Sequence, residues 1–494
     1  MQKVIAFCIC LIGFIVLLGI YSTITQAKPD PEQSEFSAID SYIESQMSTY
    51  RIPGLALAII KGDQIVYMQG YEVANPSNQP VTPQTSFITG STGKSITATA
   101  LMMLVKEGKV NLDASVQQYL PWFRLADLES STKITVRMLL NHMSGMPSSA
   151  GRASQAYSDL SEDALEELVR SFHSVKLNHA PGIAYEYSNA NYQVVGMIVQ
   201  AVSGQSFQAF IQDRIYAPLE MRNNYTSREE ARLHGMATGY RYWFGFPLPA
   251  YHLPYSYGQF PAGWYICSVE DLAHYLIMHM NEGRYGNKTL ISMDGMAELH
   301  RPVLSGYAMG WVVEDGLISH NGGLPDYGSG LYFDTTTHYG VVVAFNANTL
   351  YFYTPSYVIA PSVLRMLSGG EPIQPVVPDA WYRAMIICLA VTLSVQVIWI
   401  ILSAYVLKHW RKLGERRPKR LVNRILWLAL PLLVELGLTF YILSTFQTNG
   451  MTILTNFIYQ PDITLLGVIS LFLALGWGVV RTILSLRILT RQQV

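Results

Sequence analysis

The chain has 494 residues, of which 50% are hydrophobic and 14% charged, with a formal net charge of -1. That length exceeds one ordinary domain, and so large an apolar share with so few charges requires a part that sits in lipid. The near-neutral balance and the absence of a basic motif exclude the electrostatic footprint of a nucleic-acid binder, so no nucleic-acid partner is expected.

Residues 4–21 are almost continuously apolar behind Lys3, and the small-residue stretch Thr25-Gln26-Ala27 comes after them. This is the pattern of a secretory signal, and its length is also near that of a bilayer span, so residues 1–27 read as a signal peptide or an N-terminal anchor. Either reading exports the adjoining domain. Cys8 and Cys10 lie in this segment and Cys388 in a later apolar stretch, which leaves Cys267 alone in the exported part. No disulfide framework and no cysteine-based zinc site is expected there.

The exported region covers residues 35–370. Phe36, Ile39, Ile43 and Met47 form a helical stripe, and residues 54–60 and 65–67 read as strands joined by Lys61-Gly62-Asp63. From Ser91 onward Ala98, Leu101, Met102 and Val105 recur at helical spacing, which predicts an amphipathic helix with Ser91 at its N-terminus and Ser95 one turn on. Helical patterns dominate to about Met221. Strand patterns return between 306 and 346, clearest at Leu331-Tyr332-Phe333 and 341–345, and residues 357–367 close the region as a helix. The predicted class is α/β, an antiparallel sheet flanked by helices with a mostly helical lobe.

Gly369-Gly370-Glu371-Pro372, with Pro375 and Pro378 close behind, marks residues 371–383 as a linker. Beyond it, residues 384–494 read as three transmembrane helices, with spans at 384–407, 425–446 and 463–480. Loop 408–420 is rich in Lys and Arg, whereas 447–462 contains neither. By the positive-inside bias that loop is cytoplasmic, so the expected location is a bacterial plasma membrane with the domain on the extracytoplasmic side. Gln396 and Glu435 fall within spans and read as helix-packing groups, with a functional role as the alternative.

The chemistry is carried by three ordered boxes. Ser91-Thr92-Gly93-Lys94 places a hydroxyl and an amine on one helix face, where an amine of lowered pKa can take the hydroxyl proton. A decoy repeats this pattern, Ser130-Ser131-Thr132-Lys133 in a polar stretch, and the Tyr-x-Asn box that follows has its own, Tyr285-Gly286-Asn287 in a turn. Gly93-Lys94-Ser95 does not complete a phosphate-binding loop, because Ile88 stands where that loop needs glycine. Tyr187-Ser188-Asn189 supplies a phenol able to shuttle a proton and an amide able to hold a carbonyl or orient Lys94. His320-Asn321-Gly322-Gly323 supplies a polar side chain and glycines that let substrate backbone approach a strand.

These boxes resemble those of the penicillin-recognising serine hydrolases, in the branch of class C β-lactamases, D-stereospecific carboxypeptidases and aminopeptidases, and related esterases. The resemblance extends through Leu139-Leu140-Asn141-His142-Met143-Ser144-Gly145-Met146-Pro147, Pro181-Gly182, Pro218-Leu219-Glu220-Met221, Pro261-Ala262-Gly263 and Tyr307-Ala308-Met309-Gly310-Trp311. It implies a β-lactamase and penicillin-binding-protein-like fold. Ser91 is then the acylated nucleophile, Lys94 its base, Tyr187 the general acid/base and Asn189 a substrate contact. His320 takes the third-box position, and the amides of Ser91 and Gly323 form the oxyanion hole. Neither a metal nor an organic cofactor is implied.

Two departures stand out. The third box usually begins with a lysine that holds a substrate carboxylate, whereas a histidine is only partly charged near neutrality, which points to esterase or aminopeptidase work and a small role for a substrate carboxylate. Glu220 replaces a usual glycine, and His142 reads as a loop-shaping residue. The aromatic run Tyr240, Tyr242, Trp243, Phe244, Phe246, Tyr251, Tyr255, Tyr257 and Phe260 walls a cleft or rests on lipid. The membrane tail resembles that of prodrug-maturing peptidases, which remove an acylated D-amino acid from an exported natural product. The expected function is therefore a membrane-tethered hydrolase of peptide or ester substrates, cell-wall or secreted, acting through an acyl-enzyme. β-Lactamase or cell-wall carboxypeptidase, and a catalytically silent ligand sensor, remain as alternatives, and the oligomeric state is left open.

Overall fold

The computed structural model describes residues 36–349 except 153, 154, 156 and 252, then 355–373, 379–409, five positions between 433 and 444, and 452–490. Segment 1–27, residues 410–420 of the basic loop and Glu435 lie outside the described residues, as does most of the expected span at 425–446.

Helix α1 (Ser37–Tyr50) precedes a hairpin of β1 (Gly54–Lys61) and β2 (Gln64–Glu72), as the periodicity predicts. The turn uses Gly62 at φ 62°, a left-handed conformation open to glycine without penalty. Helices α2 (Gly93–Lys106) and α3 (Asn189–Ser203) pack together in the helical lobe. The amphipathic reading of α2 needs correction: residues 93–104 are all buried, so the helix has no solvent face. Its polar positions are satisfied internally, for instance Thr97 Oγ1 by the Pro261 carbonyl at 2.6 Å, and a helix buried all round belongs at the centre of its lobe.

A short hairpin of β3 (Tyr240–Trp243) and β4 (Phe246–Pro249) comes before α4 (Val269–Met280). Strands β5 (Tyr307–Ala308), β6 (Trp311–Glu314), β7 (Leu317–Gly323), β8 (Gly328–Asp334) and β9 (Tyr339–Phe345) complete a seven-stranded sheet in the order β2-β1-β9-β8-β7-β6-β5. Every pairing in it is antiparallel. Strand β1 is buried at every position from Gly54 to Ile60, whereas the edge strand β2 alternates, because only the central strands are covered on both faces. Gly340 of β9 faces Leu276 and Met280 of α4. Gly330 of β8, in register with Val343, faces Ala360 of α5 (Ser356–Leu367) on the other side. The sheet is thus sandwiched between helices, with the lobe of α2 and α3 beside it.

The tail contains α6 (Asp379–His409), α7 (Ile453–Tyr459) and α8 (Pro461–Thr490). Helix α6 begins inside residues 371–383, so the linker is shorter than the sequence implies. Among the described residues two helices, not three, are long and apolar enough to cross a membrane: Tyr382–His409 and Pro461–Leu484. They are stitched together by Gln396, whose Nε2 donates to the Ser470 carbonyl at 3.2 Å and whose Oε1 accepts from Ser470 Oγ at 3.0 Å. That is the packing role expected of Gln396. The β3–β4 hairpin rests on the tail: the buried Asp462 carboxylate accepts from Phe244 N at 2.8 Å and from the Tyr382 hydroxyl, and the Trp243 ring meets Phe457. The aromatic run therefore divides, with Phe244, Phe246 and Tyr251 exposed near the hairpin and Tyr255 and Phe260 buried in the core.

Candidate active site

Three backbone segments meet at Ser91, and glycines make the meeting possible. Gly90–Thr92 forms a single 3₁₀ turn that leads into α2. Gly90 holds φ 61°, and a Cβ there would lie 2.7 Å from Gly323 N; a Cβ on Gly322 would collide with the Thr89 carbonyl. On the other side Gly263, at φ 144°, lies against the carbonyl of Gly90 and the amide of Ser91. Strand β7 and the short helix Phe260–Gly263 can close on the Ser91 turn only because these positions lack side chains. The Ser91 and Gly323 amides thereby come to one cleft.

Lys94 lies one helical turn beyond Ser91 and is fully buried. Its Nζ is 3.3 Å from Ser91 Oγ, 2.8 Å from Asn189 Oδ1 and 2.6 Å from the Ala262 carbonyl. Burial, and secondarily the charge of Arg152, drive its pKa well below the ordinary lysine range. Asn189 begins α3, so the second box is carried to the first by the packing of α3 on α2.

Tyr187 lines the cleft with Ser91, and its ring lies 4.9 Å from Lys94 Nζ. Burial raises the phenol above its usual range and the nearby Ser91 hydroxyl works the other way, so the group is a neutral hydroxyl. Behind the ring stands His142 at φ 56°, itself fully buried. Its Nδ1 accepts from Ser188 N at 3.2 Å and lies 2.9 Å from Asn191 Nδ2. Burial first, then the charges of Lys94 and His320, push its pKa well below 6.5. His142 does shape a loop as the sequence suggests, but it also has proton partners and supports the Tyr187 ring, which the sequence alone left unseen.

His320 on β7 lies 3.3 Å from the Tyr307 hydroxyl through Nε2 and 2.8 Å from the Asn321 carbonyl through Nδ1. Burial lowers its pKa to about 3, with Lys94 adding to the effect, so the third-box histidine carries no charge at neutral pH. Asn321 Nδ2 donates to the Tyr332 hydroxyl at 2.6 Å and so faces a neighbouring strand.

All six residues singled out from the sequence, Ser91, Lys94, Tyr187, Asn189, His320 and Gly323, come together: five of them line one cleft of about 660 Å³, and Lys94 is buried with its Nζ 3.3 Å from Ser91 Oγ. The decoys do not reach it. Ser130 is spent on Asp127 and Lys133 on Glu129, while Tyr285 sits in a small hairpin against His274. Glu220 takes φ 56°, the left-handed position a glycine fills more cheaply, which supports its structural reading.

The cleft also holds Arg152, Gln155 and Tyr459, none of them evident from sequence. Tyr459, the last residue of α7, donates to Gln155 Oε1 at 3.0 Å, so the tail reaches the cleft wall. None of the nine aromatic-run residues lines it. Tyr307 was accessible in principle through the Tyr307–Trp311 motif, whereas no local pattern could have linked residue 459 to 155.

A model of the beta-lactamase family matches residues 39–356. Over 321 residues the chain is 28% identical to Protein flp of Staphylococcus aureus (strain MW2), covering 63% of this chain and 63% of that protein. Over 347 residues it is 28% identical to the unguisins hydrolase ungD' of Aspergillus campestris, covering 66% of this chain and 64% of that one. The matched part thus spans less than two thirds of either relative. Among solved structures, the octameric penicillin-binding protein homologue from Pyrococcus abyssi superposes with a TM-score of 0.59 at 28% identity, covering 72% of this chain and 82% of that chain. With the family model running from α1 to the start of α5 and the antiparallel sheet and helices arranged around a Ser91–Lys94 pair, the chain belongs to the beta-lactamase family of serine hydrolases.

Proposed function

We propose that the chain is a membrane-tethered serine hydrolase that cleaves amide or ester bonds through an acyl-enzyme on Ser91, with D-amino-acid-containing peptides as the favoured substrates. The observation that carries this reading is the environment of Lys94 Nζ. A neutral amine has two N–H donors and one lone pair, and the nitrogen has three neighbours: two carbonyl-type oxygens, Asn189 Oδ1 and Ala262 O, and the Ser91 hydroxyl. The two oxygens consume the donors and leave the lone pair for the serine proton.

In this mechanism Ser91 Oγ attacks the substrate carbonyl while its proton passes to Lys94. The oxyanion is received by the amides of Ser91 and Gly323. Tyr187, neutral and in the same cleft as Ser91, delivers a proton to the leaving amine or alkoxide, and water then hydrolyses the acyl-enzyme through the same groups in reverse. A silent sensor has no physical need for a buried amine so arranged.

Two observations order the substrate classes. His320 is neutral, which removes the third-box cation and places peptidase or esterase work ahead of β-lactam hydrolysis. Tyr459 at the cleft wall favours the prodrug-peptidase alternative, in which the tail takes part in handling an acylated D-amino-acid substrate. The two apolar tail helices support membrane attachment, and the charge bias of the loops supports an extracytoplasmic domain.

The test is active-site labelling. A fluorescent phosphonate should modify the wild type and not Ser91→Ala; equal labelling of both removes the proposal. A screen of D-amino-acid amides, esters, acyl-D-peptides and cephalosporins against the same control then ranks the substrates. Protease added to intact cells should digest the domain, and full protection beside a digested control reverses the topology.

A further inference from the structure

The cleft lacks a cation at the third box yet has one elsewhere. Arg152 lines it together with Ser91, Tyr187 and His320. Its charge reaches the reacting groups: it lowers Lys94 and opposes the upward shifts of Tyr187 and Tyr459.

Arg152 is presented by a braced turn. Its amide donates to the Ser149 carbonyl at 3.2 Å, and the neighbouring Gly151 carbonyl accepts from Gln259 Nε2 at 2.9 Å. Gly151 holds φ 75°, and a Cβ there would strike the Gln193 amide, which itself donates to Gln259 Oε1 at 2.8 Å. Gln155 lies one turn on, its amide donating to the Arg152 carbonyl at 3.0 Å, and its side chain is fixed by the Tyr459 hydroxyl. Among the described residues no carboxylate pairs with Arg152. One carboxylate lines the cleft, that of Glu314, but it is exposed and lies across from Leu317, six residues along β7 from Gly323. At the rise of an extended strand that is roughly 20 Å from the oxyanion amides.

A guanidinium that lines the cleft with the nucleophile and has no acidic partner among the described residues is suited to a planar carboxylate, which it binds through two parallel N–H donors. We propose that Arg152, flanked by Gln155 and the tail residue Tyr459, is the carboxylate-binding subsite of this cleft, and that it takes over the recognition that a third-box lysine performs elsewhere. The inference rests on the hydrolase reading and deepens it: the favoured substrates carry a carboxylate near the scissile bond, as a terminal group or an acidic side chain. It also revises the expectation, drawn from His320 alone, that a substrate carboxylate matters little. Because Tyr459 belongs to α7, the tail helps to build the subsite rather than only tethering the domain.

The experiment compares kcat/KM for matched acyl-D-peptides with free and amidated carboxylates, using the full chain in detergent. The wild type should prefer the free acid, and Arg152→Gln should reduce that preference on the order of 10- to 100-fold, mainly through KM, as expected for loss of a charge-assisted bond. Arg152→Lys, which keeps the charge without the fork, should restore part of the preference. Equal hydrolysis of acid and amide by the wild type overturns the subsite, as does a proportionate loss on both substrates in Arg152→Gln. Phosphonate labelling of the wild type at Ser91 is scored separately. Its absence counts against the hydrolase reading, whereas labelling with an unchanged acid-to-amide ratio in Arg152→Gln counts against the subsite alone.

Discussion

The imidazole of His142 and the phenol ring of Tyr187 lie 4.3 Å apart, centroid to centroid, at an interplanar angle of 41°. The contact supports the Tyr187 ring in the cleft of Ser91, and His142 Nδ1 also secures the amide of Ser188, the residue between Tyr187 and Asn189. Loss of the imidazole therefore loosens the second box at two points, the Tyr187 ring and the Ser188 backbone.

His142→Asn should keep the left-handed backbone, which asparagine tolerates, and remove the ring contact. The expected result is a fall in kcat of roughly 10- to 100-fold with little change in KM, since a positioning defect acts on the proton transfers rather than on binding. Steady-state kinetics on an amide substrate decide it, and an unchanged kcat refutes the positioning role.

The buried titratable groups set an acid limit on stability. His142 and His279 are held well below 6.5, His300 at about 4 and His320 at about 3, in each case chiefly by burial. As pH falls below 6.5 the unfolded chain protonates these histidines and the folded chain does not, so stability is lost. Asp271, raised to about 7, and Asp326, raised to about 6, act oppositely, because burial makes the folded chain bind protons that the unfolded chain releases. The histidines outnumber the carboxyls by about two protons, which gives a loss of roughly 3 kcal/mol per pH unit between about pH 6 and 4.5. Thermal melts across that window should show a steep fall in Tm, and a flat profile contradicts the assignment of neutral histidines.

Gly322→Ala should disable acylation without unfolding the sheet. The new methyl meets the Thr89 carbonyl and forces β7 away from the Ser91 turn, displacing the Gly323 amide from the oxyanion position. A drop in phosphonate labelling rate of about 100-fold or more is expected, in line with loss of one oxyanion donor. Circular dichroism on the same sample separates this from misfolding.

His320→Lys restores a cation at the third box. If a neutral histidine is what disfavours β-lactams, the substitution should raise the rate of Ser91 acylation by a fluorescent penicillin at least about 10-fold. No increase in a folded variant means that the cleft excludes β-lactams by shape instead.

Much of this protein was legible in its sequence because the relevant signals are local. A Ser-x-x-Lys pair lies on one helix face whatever the surroundings, alternation marks the strands, and apolar runs mark α6 and α8. The order of the three boxes conveyed the family, since each box carries its own residue types. Periodicity also misled in one place: α2 has the stripe of an amphipathic helix, but the positions off that stripe, among them Ile96, Thr97, Thr99, Met103 and Leu104, are buried as well.

What only the tertiary structure decided depends on contacts between distant residues. Sequence could name Lys94 as a base, but its lowered pKa comes from complete burial and from Arg152, 58 positions away. It could name His320, but not that burial keeps it neutral and leaves Arg152 as a cation of the cleft. Nor could it bring Tyr459, between the tail helices, to Gln155, because no periodicity encodes a hydrogen bond spanning 304 residues. Local residue chemistry fixed which groups can react; burial and long-range packing fixed their protonation, their partners and the shape of the cleft.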